Sequence, residues 1–143
     1  MKNFKLLLIL SSLAAFAWSC TQKEKTKQTN EWPEMDAFHM VMAESFHPFK
    51  DSANLGPAKT LAAELAASAS RWAEAPLPKK VNTPEVQEKL NLLKAATAEF
   101  TQLVQTGSDQ EIGEALTSLH DLFHELQDAW YGKGDGHHHH QHE

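Results

Sequence analysis

Apolar residues recur along the chain at the three- and four-residue spacing of amphipathic helices, in four separate runs. The first extends from about Trp32 to Phe49. Met35, Phe38, Met42, Phe46 and Phe49 share one stripe, and Pro33 stands in the first turn. The second extends from about Leu55 to Ala75, with Leu61, Leu65, Ala69 and Trp72 on one face, and stops at Pro76-Leu77-Pro78. The third opens at Thr83-Pro84-Glu85-Val86, where Thr83 suits the N-cap and Pro84 the first helical position. Its stripe is Val86, Leu90, Leu93, Thr97, Phe100 and Val104, and it stops at Gly107. The fourth is capped by Ser108 or Asp109, carries Ile112, Leu116, Leu119, Phe123, Leu126 and Trp130, and ends at Gly132. No strand signal of comparable strength and no internal repeat competes with these runs. The links between them are short, so neighbouring helices should run in opposite directions. The expected fold is all-α, an antiparallel up-down-up-down four-helix bundle over residues 32–131.

What precedes the first run is a different kind of sequence. Lys2 and Lys5 are followed by an apolar run from Leu6 to Trp18, broken only by Ser11 and Ser12. At ~13 apolar residues the run is short for a membrane span and has the form of a secretory signal. It closes on Ala17-Trp18-Ser19-Cys20. This ending resembles the bacterial lipoprotein signal, in which the Cys becomes the lipidated mature N-terminus. Ser19 fits that pattern, and Trp18 departs from its commonest form. The resemblance implies a signal peptide over residues 1–19 and an exported protein of the periplasm or cell envelope, anchored to a membrane by lipid on Cys20. An ordinary secreted chain with a free Cys20 is the plainer alternative. Residues 20–31 then read as the anchor and a flexible tether, rich in Lys, Gln and Thr.

Composition narrows the function. The chain has 13 Lys plus Arg against 19 Asp plus Glu, a net charge of −6, and loss of Lys2 and Lys5 with the leader takes it to −8. There is no basic footprint, and nucleic acid is not an expected partner. One Cys, committed to targeting, leaves no internal disulfide and no thiolate metal cluster. The 9 His are the abnormal count.

Four of them fall on matching flanks of two helices. At about 100° per residue, with Met35 at zero, His39 lies near ~40°, Asp36 near ~100° and His47 near ~120°. With Ile112 at zero, His120 lies near ~80° and His124 near ~120°. If the first and fourth helices are antiparallel neighbours, with residue 34 level with about residue 130, these flanks meet along their seam. His39 then approaches His120 and His124, themselves an i,i+4 pair on one face. Two His one turn apart can share an ion, and a third from a facing helix makes a triad suited to Zn, Cu, Ni or Co. Asp36 and His47 are further candidate ligands, with Asp121 and Glu44 as nearby oxygen donors. The plainer reading is a set of interface histidines bonded to carboxylates.

Other patterns carry less. Glu44-x-x-His47 matches the Glu-x-x-His of di-iron bundles, but the inward carboxylates that such a site needs from other helices are missing. Met35 and Met42 sit on the core stripe as packing residues, while Met40 points away from it. A spacer, Gly132 to Gly136, leads into His137, His138, His139, His140 and His142. Residues 132–143 therefore read as a flexible, His-rich tail that collects metal with loose geometry.

From Trp32 to Tyr131 the layout resembles the periplasmic b-type four-helix cytochromes and the cytochromes c-prime, including the Pro76-Leu77-Pro78 loop and the Gly107 turn. The c-prime group attaches haem through Cys-x-x-Cys-His, which is absent here. The b-type resemblance implies Met35 or Met42 with His124 as a haem pair. The motifs around Phe38-His39, Leu119-His120 and Phe123-His124 also look like those of small secreted bundle proteins that carry no known activity. The function expected is sequestration, buffering or delivery of Zn, Cu, Ni or Co, through His39, His120, His124, His47 and Asp36, with the tail as a collector. A non-covalent haem electron carrier and a metal-free envelope partner module are the alternatives. No acid–base or nucleophile arrangement points to an enzyme.

Overall fold

The computed structural model describes residues 31–132, so the leader, Cys20, the tether up to residue 30 and the tail from residue 133 lie outside the described residues. Four helices form, α1 Pro33–Ser52, α2 Gly56–Glu74, α3 Pro84–Thr106 and α4 Asp109–Tyr131, with a short 3-10 turn at Lys79–Val81 between α2 and α3. They pack as a four-helix bundle in which each helix meets its chain neighbours and α1 also meets α4.

Local chemistry sets the ends of these helices. Pro occupies the first turn of α1, α2 and α3, where its missing N–H costs nothing. The Thr83 hydroxyl accepts the Val86 N–H at the start of α3. Ser108 and Glu111 form a reciprocal capping box at the start of α4. α1 stops at Ala53, whose φ of 55° is left-handed, and the Ala53 and Asn54 N–H groups turn back to the Phe49 and Pro48 carbonyls.

The apolar stripes meet in one core. Met35, Phe38, Met42, Leu65, Trp72, Leu90, Leu93, Phe100, Ile112, Leu116, Phe123 and Leu126 are buried. Contacts between α1 and α4 run in opposite sequence order: Trp32 lies beside Trp130, Phe38 beside Phe123 and Phe46 beside His120. Gly113 makes room for Phe49 further along, since a Cβ there would stand 2.8 Å from the ring. These pairs fall close to the register in which residue 34 is level with residue 130. Between α2 and α3 the order is likewise reversed, with Lys94 paired to Glu74 and the Thr101 hydroxyl donating to the Ala62 carbonyl.

One end of the bundle is built from tryptophan. The Trp32 ring lies 5.1 Å from Trp72 and 5.6 Å from Trp130, and the Lys80 ammonium sits 4.7 Å over Trp130. The indole N–H groups of Trp32 and Trp72 are buried without a hydrogen-bond partner. Such a group costs ~1–3 kcal/mol in lost hydration, which the apolar contact of the large rings offsets. No helix among the described residues is long and apolar enough to cross a membrane.

Candidate functional site

The α1–α4 seam holds the histidines that the helical rotation singles out. On α4, His120 and His124 stand one turn apart and their rings meet. Their Nε2 atoms are 3.1 Å apart and share a hydrogen bond, one ring donating its N–H and the other accepting. The facing helix supplies the platform beneath them. Phe46 of α1 stacks on His120 with ring centres 3.8 Å apart and planes within 12°. That stack leaves His120 half-buried while His124 is exposed.

The environment fixes the protonation of His120. Burial is the main influence, followed by the neighbouring His124 ring, and together they lower its pKa from 6.5 to about 4. Lys50 and His47 push the same way, and Asp121 opposes them. His120 is therefore neutral at neutral pH, the state in which imidazole offers a lone pair to a metal. The Asp121 carboxylate stands 3.9 Å from His120 Nδ1. Its charge favours the tautomer with the proton on Nδ1, which frees Nε2 on the side of His124.

The other candidates lie around this pair. His39 stacks on Phe123, ring centres 5.2 Å apart and planes within 19°, and is partly buried. Phe123 in turn touches His124 at 5.8 Å. His47 and Asp36 are exposed on α1. Among the described residues no group of three or more His, Cys, Asp or Glu side chains is gathered closely enough to hold a metal ion. The seam thus presents a two-histidine unit, with the remaining candidates nearby on α1. The haem pairing suggested by the b-type resemblance is split. Met35 and Met42 are 2% and 1% exposed within the core, and His124 lies outside it.

Three features of the site escaped the rotational argument. Rotation places Phe46 and Phe123 on the core stripes, yet each also carries a histidine ring on its face. Lys50 lies by rotation on the same flank as His39 and His47, and its charge acts on His120.

A second surface feature lies between α3 and α4. Leu92, Ala96, Leu103, Ala115 and Leu122 line an open, mainly apolar groove, with Glu99 and Glu125 at its rim. Leu92 is 56% exposed there.

No known protein family, curated protein or solved structure matches the chain.

Proposed function

We propose that the chain is an exported, lipid-anchored four-helix bundle that binds a transition-metal ion through His120 and His124. The observation that carries this reading is the 3.1 Å separation of the two Nε2 atoms. Two nitrogens each ~2.0–2.1 Å from one ion stand roughly 2.9 Å apart at a right angle and roughly 3.4 Å apart at the tetrahedral angle. The pair is thus already spaced for a shared ion. Aiming both lone pairs at it needs side-chain rotation alone, because the residues project from one face of a rigid helix. The neutrality of His120 removes the proton that would compete with the ion. Two imidazoles suit Zn, Cu, Ni or Co. Sequestration, buffering or delivery of such an ion outside the cytoplasm is the matching role, and Cys20 is the proposed point of lipid attachment.

The test is Zn2+ titration of the purified full chain, with elemental analysis of the protein as isolated. His120→Ala and His124→Ala should each weaken the tight site. Tight binding by both variants equal to that of the parent would remove the pair from the function.

The α3–α4 groove favours a second reading, a partner-binding envelope module. Leu92→Glu in the groove should then abolish partner capture, while a chain with all four body histidines changed to Ala retains it.

A further inference from the structure

The groove between α3 and α4 combines an apolar floor with an acidic edge. We infer that it seats one amphipathic helix of a protein partner, apolar on one face and flanked along that face by Lys or Arg. This rests on the partner-binding reading above and names the chemistry of the partner.

Shape selects a helix. Phe100 and Leu119 are buried at the base of the groove, and its volume is about 940 Å³. The small side chains of Ala96 and Ala115 leave it open between the larger Leu92, Leu103 and Leu122. Along α3 the lining extends from Leu92 to Thr106, ~21 Å at ~1.5 Å rise per residue, or about four helical turns. The two walls are helices, whose backbone groups are already bonded along their own axes. An extended segment laid between them would leave its N–H and C=O groups unpaired against apolar side chains. A helix satisfies its own backbone and offers the groove apolar side chains at i, i+3, i+4 and i+7. Leu92, 56% exposed, is the apolar surface that such an occupant would cover.

Charge selects among helices. The groove is lined by the carboxylates of Glu99, Asp121 and Glu125 and by no Lys or Arg. Lys89 pairs with Glu125 from outside the groove. Glu99 and Asp121 have no Lys or Arg ion pair among the described residues. Along its whole length α4 carries Asp109, Glu111, Glu114, Asp121, Glu125 and Asp128 with no Lys or Arg. A cationic flank on the occupant therefore meets uncompensated negative charge, which steers its approach and fixes its register. A second copy of the chain lacks that complementarity, because a two-fold contact through this groove sets the same carboxylates against each other. An anionic lipid surface is repelled for the same reason.

The probe is a synthetic peptide of Leu and Lys, about five turns or ~18 residues long, with Leu at helical spacing on one face. It is compared with a scrambled peptide of the same composition and with a version carrying Glu in place of Lys. Each is titrated into the full chain in the presence of a chelator, followed by calorimetry and by the methyl resonances of the protein. The Leu/Lys peptide should bind one per chain, gain helical circular dichroism and move the methyl signals of Leu92, Leu103 and Leu122. Leu92→Gln and Glu99→Lys, both at exposed positions, should each weaken it about tenfold. Glu64→Lys, an exposed reversal on α2, should change it by less than about twofold. Equal binding of the scrambled peptide, or an equal loss in Glu64→Lys, would reduce the effect to general charge attraction and overturn the proposal. Tighter groove binding by the Glu peptide would overturn the cationic partner and leave the partner-binding reading standing. Groove methyl signals unmoved by every peptide would overturn both. Self-association of the parent that Leu92→Gln abolishes would assign the groove to a second copy and overturn the proposal.

Discussion

His120 should make the metal-free bundle acid-sensitive, by an amount that the site's geometry sets. In the unfolded chain the ring titrates near its ordinary pKa of 6.5, and in the fold it titrates near about 4. The folded state thus binds fewer protons than the unfolded state between these values. Because the folded pKa is the lower one, the contribution to stability is fully present above about pH 6.5 and is lost as pH falls toward 4. A shift of this size corresponds to about 1 kcal/mol lost by about pH 5.5 and about 3 kcal/mol by about pH 4. The His120 side chain is 24% exposed, so these are upper figures. The perturbation is His120→Gln, which keeps a polar group against Phe46 and removes the titration. The assay is urea unfolding of both proteins in the presence of a chelator at about pH 7.5, 5.5 and 4. Carboxylate titrations common to the two proteins cancel in the difference between them. The stability of the parent relative to His120→Gln should fall steadily as the pH is lowered from about 7.5 to 4. A stability difference that stays constant across this range would refute the reasoning, because it would mean that the fold does not hold His120 neutral.

Three further outcomes follow from the packing. Gly113→Ala should be neutral or destabilising in the parent, where the new Cβ would meet the Phe49 ring at 2.8 Å. In a Phe49→Ala background it should become stabilising by about 1 kcal/mol, the helix-propensity difference, and urea unfolding of the four proteins reads the coupling. Ser108→Ala breaks the capping box of α4 and should cost about 1 kcal/mol, measured as a lower midpoint of thermal unfolding. Phe123→Ala should cost about 3–5 kcal/mol, and the same substitution should release His39 from its stack, visible as a moved His39 ring resonance by NMR.

Much of the fold was legible because a helix stripe is a local property. All six apolar residues named for α4 are buried, and the stops at Gly107 and Gly132 stand directly after α3 and α4. α1 overran its expected end by three residues to Ser52. Pro48 is held inside the helix, and the Ala53 turn rather than Phe49 supplies the stop. The small-residue positions Ala58 and Ala62 on α2, and Trp32 ahead of α1, are buried without standing out in the pattern. Alanine contributes little to a stripe, and Trp32 is the N-cap residue, ahead of the first helical turn. The site was legible only as far as rotation carries. The His120–His124 contact follows from i,i+4 spacing on one helix. Which ring lies on which phenylalanine depends on side-chain rotamers across two helices, and no single-helix periodicity contains that information. This is why the expected approach of His39 to the pair and its observed stack on Phe123 are different statements about one register.

The tryptophan cluster gives the bundle an optical property. Trp32, Trp72 and Trp130 are within 5–6 Å along the chain Trp72–Trp32–Trp130, so excitation absorbed by any one of them is shared at one end of the molecule. Trp130 lies six residues, or ~9 Å of helix rise, beyond His124. An open-shell ion such as Cu2+ seated at the histidine pair is close enough to drain that shared emission, whereas Zn2+, with its filled d shell, is dark to it. Tryptophan emission would therefore report the identity of an ion added to the histidine pair, quenched by Cu2+ and unchanged by Zn2+.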